Sequence, residues 1–81
     1  MDINEEEMDI ESRVILLAIL KKEDDESLHE VLLKLVETGM FELKEGKRLL
    51  KKLKAQQYVE DGGLTVIGLS AANDALREFT V

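Results

Sequence analysis

Residues 50–68 have the sequence LKKLKAQQYVEDGGLTVIG, in which a lysine-rich segment leads through a glycine turn into an apolar segment. The run Asp61-Gly62-Gly63 can supply the positive φ angles that tight hairpin turns require. We therefore predict a minimal hairpin with strands at Tyr58–Glu60 and Leu64–Val66. Because a two-stranded ribbon alone is marginally stable, its apolar side chains must pack on helices.

The lysine-rich segment belongs to a predicted third helix, from about Leu43 to Gln57. Its leucines are spaced to face inward, which places its basic residues on the opposite surface. Gly46 interrupts this helix-favouring sequence at a cost of roughly 1 kcal/mol relative to Ala, which indicates that another helix crosses close to it. Six of the eleven Lys and Arg residues of the chain lie here, against the single acid Glu45, and they are our candidate binding residues: Lys44, Lys47, Arg48, Lys51, Lys52 and Lys54.

A second helix is predicted upstream. Ser27 and Glu30 have the spacing of a capping box, the apolar residues that follow recur at i, i+3, i+4, i+7 and i+8, and Gly39 favours an end there. The acidic stretch 23–26 lacks the alternating ligands and the glycine of a calcium loop, so we predict a solvated linker. His29 lies off the apolar stripe and is predicted to be exposed.

The first helix is predicted from about Glu5 to Lys22. Asn4 and Glu7 form a second capping-box pattern, with Ile3 and Met8 at the spacing of a hydrophobic staple. A frayed acidic tail at 1–8 is the alternative. The stretch 14–20 is apolar all round, which is typical of a central buried helix or of one shared with a second chain.

A closing helix is predicted after the hairpin, with Thr65 as its N-cap. Leu69, Ala72, Leu76 and Phe79 recur at helical spacing with Ala75 beside them. Small residues in the first half of this helix would allow close approach to a neighbouring helix: Gly68, Ser70, Ala71 and Ala72.

Length and composition exclude several classes of protein. Eighty-one residues suffice for one domain with a single core. The chain has no Cys and only one His, so disulfides, thiolate zinc sites and histidine clusters are excluded. No nucleophile–base pair and no phosphate-cradling glycine loop is recognisable, and we expect neither enzymatic activity nor a cofactor or metal. The longest apolar run, at 14–20, is far short of the ~20 residues of a membrane span, so we expect a cytoplasmic protein with no membrane partner.

The net charge of −7 would argue against nucleic acid if it were evenly spread. It is not, because residues 1–11 hold six acidic residues and no basic one. The remaining chain carries twelve acidic and eleven basic residues and is nearly neutral. Its positive charge is therefore concentrated in the third helix.

The element order, with the run from Leu50 to Glu60 and its continuation Asp61-Gly62-Gly63-Leu64-Thr65-Val66-Ile67-Gly68, resembles small bacterial and archaeal winged-helix regulators. The similarity covers about residues 12–79 and lies in the third helix, the wing and the Leu-Thr-x-x-Gly passage. It implies a mainly α winged helix-turn-helix fold with a three-helix core, a short β-hairpin and a C-terminal helix, as a single domain over residues 1–81.

The resemblance implies a transcriptional regulator whose third helix enters the major groove of duplex DNA and whose end helices, helix 1 and helix 4, form a homodimer. Lys44, Lys47, Arg48 and Lys51 would face the DNA, with Lys52 and Lys54 nearer the phosphates. Of these, Arg48 alone has the bidentate geometry that reads guanine.

Two features depart from the family pattern. The wing is very short, with acidic Glu60 and Asp61 at its tip, and the start of the third helix has no Asn, Ser or Thr to read bases. The alternative is therefore a protein–protein interaction adaptor that keeps the scaffold without binding DNA. The acidic N-terminus also motivates the hypothesis that it covers the third helix of its own or another chain and competes with DNA.

Overall fold

The computed structural model describes residues 9–80, with side chains through Glu78. The chain is mainly helical with one two-stranded antiparallel hairpin, which confirms the predicted mainly α class. The elements in chain order are α1 (Ile10–Lys21), α2 (Leu28–Glu37), α3 (Leu43–Ala55), β1 (Val59–Glu60), β2 (Gly63–Leu64) and α4 (Val66–Thr80).

Helix α1 begins at Ile10, so the prediction of one continuous helix from Glu5 is wrong. Asp9 has an extended backbone and its carboxylate accepts a hydrogen bond of 3.0 Å from the backbone N–H of Ser12. A helix begins after an extended N-cap residue and cannot continue through it toward the N-terminus. The predicted cap at Asn4, with Glu7 and the Ile3–Met8 staple, lies outside the described residues.

The signals at both ends of α2 are confirmed. The Ser27 hydroxyl accepts from the backbone N–H of Glu30, and the Glu30 carboxylate accepts from that of Ser27. Gly39 has a φ of 86°, and the N–H of Met40 bonds to the carbonyl of Leu35 at 3.1 Å. This Schellman closure satisfies the last carbonyls of the helix and reverses the chain toward α3.

Helix α3 ends two residues before the predicted Gln57. Gln57 has a φ of 68°, and the N–H of Tyr58 bonds to the carbonyl of Leu53 at 3.0 Å. A second Schellman closure therefore ends this helix, with a glutamine where glycine is usual. It directs the chain into β1.

The hairpin pairs Val59 with Leu64 and Glu60 with Gly63. Its strands are shorter than predicted because Val66 already belongs to α4. The predicted Thr65 cap is confirmed, since the Thr65 hydroxyl accepts from the N–H of Gly68 at 3.0 Å. The same hydroxyl donates to the carbonyl of Gln57 at 2.6 Å, which ties the start of α4 to the end of α3.

The core is assembled around α1, which contacts the three other helices and β2. Its 14–20 stretch is central, as predicted, and Ile15 and Leu16 are fully buried. The hairpin packs on the helices through its apolar side chains, as expected. Helix α4 contributes Ala72 and Ala75, whereas Leu69 of the predicted stripe is 45% exposed. The buried hydrophobic residues are Ile15, Leu16, Ile19, Val31, Leu32, Leu49, Leu53, Val59, Ala72 and Ala75.

Two glycines mark close approaches. At Gly46 the neighbour is the ring of Phe41, whose Cε1 atom would lie 2.6 Å from an added Cβ. The nearest neighbour of Gly46 is therefore a side chain of the α2–α3 link rather than another helix. At Gly68 an added Cβ would lie 1.8 Å from the carbonyl oxygen of Tyr58, so α4 rests directly on the backbone that enters β1.

Candidate nucleic-acid interface

The outer surface of α3 carries the six candidate residues. Leu49 and Leu53 are buried on the inner side, together with Gly46, and they fix the rotation of the helix. We call the opposite surface the basic face, and its members are all exposed, as predicted: Lys44, Lys47, Arg48, Lys51, Lys52 and Lys54.

The basic face extends along most of α3. Lys44, Arg48 and Lys51 follow at intervals of four and three residues and so lie one above another on the helix. The span from Lys44 to Lys54 is about 15 Å at 1.5 Å per residue. This length and a single helix's width are compatible with a major groove about 12 Å wide.

The two flanks of the basic face differ. Lys54 lines a surface depression with Gln57 and Glu60, so it lies on the hairpin side. Lys52 lies toward the start of α1, because it is one of the cations that act on the Asp9 carboxylate. The hydrogen bond from Ser12 is the main cause of the lowered pKa of Asp9, and the charges of Lys52 and Arg48 lower that pKa further.

Arg48 is held by an acid of its own helix. Its Nη2 and Nε atoms donate to the two carboxylate oxygens of Glu45 at 2.5 and 3.0 Å. This pair lowers the pKa of Glu45 and raises that of Arg48. Both side chains are exposed, so water competes for the pair and a phosphate or a base could replace the carboxylate. This contact was not predicted, although the i, i+3 spacing of Glu45 and Arg48 signals it.

The five lysines of the basic face are placed differently. Between the residues that the structure describes, no ion pair involves any of them. All five lysines are exposed on the helix surface. They are therefore available to an external polyanion without first losing a partner among those residues.

The hairpin tip beside α3 is acidic and short. Glu60 and Asp61 are exposed, and each strand has two residues. The carboxylates would repel phosphates near them. The tip therefore adds no cation to the basic face, and Lys54 is its cation on the hairpin side of α3.

The remaining candidate features lie apart from this surface. His29 is exposed in the first turn of α2, as predicted. In the 23–26 linker, Glu26 forms an ion pair with Lys34 and accepts a hydrogen bond from the N–H of Glu23. Among residues 9–80, no group of three or more His, Asp or Glu side chains could hold a metal ion. Over the same range, every helix is too short or too polar to cross a bilayer.

An exposed apolar patch occupies the first turn of α4. Val66 is 86% exposed, Ile67 55% and Leu69 45%. The patch follows the hairpin, and its Val66 and Ile67 border Lys54 and Gln57 at the end of α3. Sequence periodicity did not reveal the patch, because it assigned Leu69 to the buried stripe.

No protein-family model matches the chain, and neither a curated protein nor a solved structure is significantly similar to it.

Proposed function

We propose that this chain is a winged-helix DNA-binding domain that inserts α3 into the major groove and acts as a small transcriptional regulator. The element order supports this, because two helices joined by a short link, α2 and α3, are followed by a hairpin and a closing helix, which is the order of a winged helix. The observation that carries the proposal is the basic face of α3. Its five exposed lysines have no ion-pair partner among the described residues.

The proposal gives each residue of the basic face a role. Lys44, Lys47, Arg48 and Lys51 enter the groove, where they contact the phosphates at its edges as well as the bases, and Lys52 and Lys54 contact the flanking phosphates. Arg48 exchanges the Glu45 carboxylate for the O6 and N7 atoms of a guanine or for a phosphate. Lysines predominate, so most of the affinity is electrostatic and depends only weakly on sequence.

A homodimer through α1 and α4 belongs to the same proposal. Two copies related by a twofold axis would present two α3 helices to half-sites about one helical turn apart. Apolar side chains remain exposed on both helices, with Ile10 of α1 at 58% and Leu69 of α4 at 45%. These would supply part of the subunit contact.

The experiment compares two charge-reversed variants in binding to a fluorescent duplex at several salt concentrations. Lys47→Glu/Arg48→Glu/Lys51→Glu removes three cations from the basic face. The matched control, Lys21→Glu/Lys22→Glu/Lys34→Glu, changes the net charge equally outside α3. We expect the α3 variant to lose at least ~100-fold in affinity at low salt and the control to lose much less, because only contacted cations release counterions. Equal losses in the two variants would refute a specific role of α3.

A second candidate function is a protein-docking adaptor on the same scaffold. The exposed apolar patch of Val66, Ile67 and Leu69 favours it, because exposed apolar clusters mark interaction surfaces. The acidic hairpin tip agrees with it as well. An adaptor would show no measurable, salt-dependent affinity for duplex DNA.

A further inference from the structure

The start of α1 lies on one flank of the basic face. Asp9 caps α1 and is fixed there by its bond with Ser12. Helix α1 packs against α3, and the positive charges of Lys52 and Arg48 act on the Asp9 carboxylate. Asp9, to which residues 1–8 are joined, therefore lies near the lysines of α3; residues 1–8 themselves are outside the described part of the chain.

The charge of residues 1–8 is opposite to that of the basic face. Residues 1–8 contain four acidic side chains and no basic one. The basic face has five lysines without an ion-pair partner among the described residues. The segment and the surface are therefore complementary in sign and similar in number of charges.

The segment is also long enough. Eight residues can span up to ~27 Å at about 3.4 Å each. The thirteen residues of α3 extend over about 20 Å. A segment that starts from Asp9 can therefore reach every cation of the basic face, including those at the far end of α3.

We propose that residues 1–8 bind the basic face of α3 in their own chain and compete there with the phosphates of DNA. The competition rests on the proposed function, whereas the contact itself does not. The same chain is favoured over a second copy, because a short tether gives an effective concentration in the millimolar range. DNA must displace the segment. The apparent affinity of the protein for DNA is therefore the intrinsic affinity multiplied by the fraction of molecules in which the basic face is uncovered.

The contact is tested without DNA by paramagnetic relaxation enhancement. The chain has no cysteine, so Asn4→Cys provides one site for a nitroxide label and keeps every charge. We expect strong loss of amide peak intensity at Lys44–Lys52 in low salt, with recovery in high salt. The comparison is the same labelled chain with a neutral segment, Asp2→Asn/Glu5→Gln/Glu6→Gln/Glu7→Gln. Equal intensity loss in both chains would overturn the proposed contact.

The competition is tested by duplex-DNA affinity of the unlabelled neutral-segment variant. We expect its affinity to rise about tenfold over wild type at low salt. A matched control, Glu23→Gln/Asp24→Asn/Asp25→Asn/Glu37→Gln, removes the same charge from exposed positions elsewhere. An equal rise in the control would overturn competition and assign the effect to net charge. A salt-sensitive label contact in a protein that binds no DNA would support the contact and refute the proposed function.

Discussion

The tight packing of α4 on the hairpin makes Gly68→Ala an informative substitution. The added Cβ would lie 1.8 Å from the carbonyl oxygen and 2.8 Å from the carbonyl carbon of Tyr58. Ordinary carbon–oxygen contacts in proteins are about 3.3 Å or longer, so the backbones must separate by about 1.5 Å. Neither group is the flexible end of a side chain, so the clash cannot be relieved by rotation.

The expected effect combines opposing contributions to the free energy of unfolding. Alanine favours the helix by about 1 kcal/mol over glycine. Overpacking costs about 1–3 kcal/mol, and separation weakens the two hydrogen bonds of Thr65, each worth about 1 kcal/mol. We expect a net loss of about 2 kcal/mol, which corresponds to a fall in Tm of about 8–16 °C for a domain of this size.

Urea denaturation followed by circular dichroism at 222 nm measures this loss. Ser70→Ala is the matched control, because Ser70 is exposed on the same helix and its substitution adds helix propensity without a new contact. We expect this control to be slightly more stable than wild type. A Gly68→Ala protein as stable as the control would refute the close approach of α4 to Tyr58.

Three further substitutions test local features of the fold by the same unfolding assay. Gln57→Gly should stabilise the protein by about 1 kcal/mol, because Gln57 has a φ of 68° and glycine adopts that region without strain. The control Gln56→Gly, at a negative φ, should give no gain. Equal effects of the two substitutions would contradict the left-handed conformation of Gln57. Gly46→Ala should destabilise the wild type, because the Phe41 ring occupies the space of the added methyl group. In a Phe41→Leu background the same substitution should stabilise the protein by up to about 1 kcal/mol. An effect of the same sign in both backgrounds would argue against the contact between Phe41 and Gly46. Asp9→Ala should cost about 1 kcal/mol at neutral pH. Since folding lowers the pKa of Asp9 below 3.8, the ionised side chain stabilises the fold above that pH, and the cost should shrink as pH falls through the lowered pKa; a cost independent of pH would contradict this origin.

Local signals were sufficient for much of the fold. The Ser27 capping box, the Gly39 end and the hairpin at Asp61-Gly62 were predictable, because each depends on a few adjacent residues. The inward side of α3 followed from its leucine spacing. These features need no knowledge of distant contacts.

Features that depend on tertiary packing were not predictable. Asp9, the residue that caps α1, lies where cations of α3 act on its carboxylate, and no local spacing reveals that contact. Gly46 was recognisable as unusual, but only the folded chain shows that Phe41 fills its space. On α4, periodicity could not distinguish Leu69 from the alanines that allow close packing, and the alanines are the residues buried.

The candidate site was predictable in composition and exposure. All six residues of the basic face are exposed, as charge spacing on a helix indicated. The pairing of Arg48 with Glu45 was readable from their spacing but was overlooked, because the charges were weighed as totals. The DNA-binding role of the face stays a prediction.

The central claim is that the basic face of α3 neutralises DNA phosphates, and the salt dependence of binding tests it most directly. The logarithm of the association constant for a duplex of about 20 base pairs is measured against the logarithm of the NaCl concentration. Contact with about five phosphates predicts a slope near −4.5 for the wild type, and a slope smaller in magnitude by about 2.7 for Lys47→Glu/Arg48→Glu/Lys51→Glu. A slope near zero, or the same slope in both proteins, would contradict the claim.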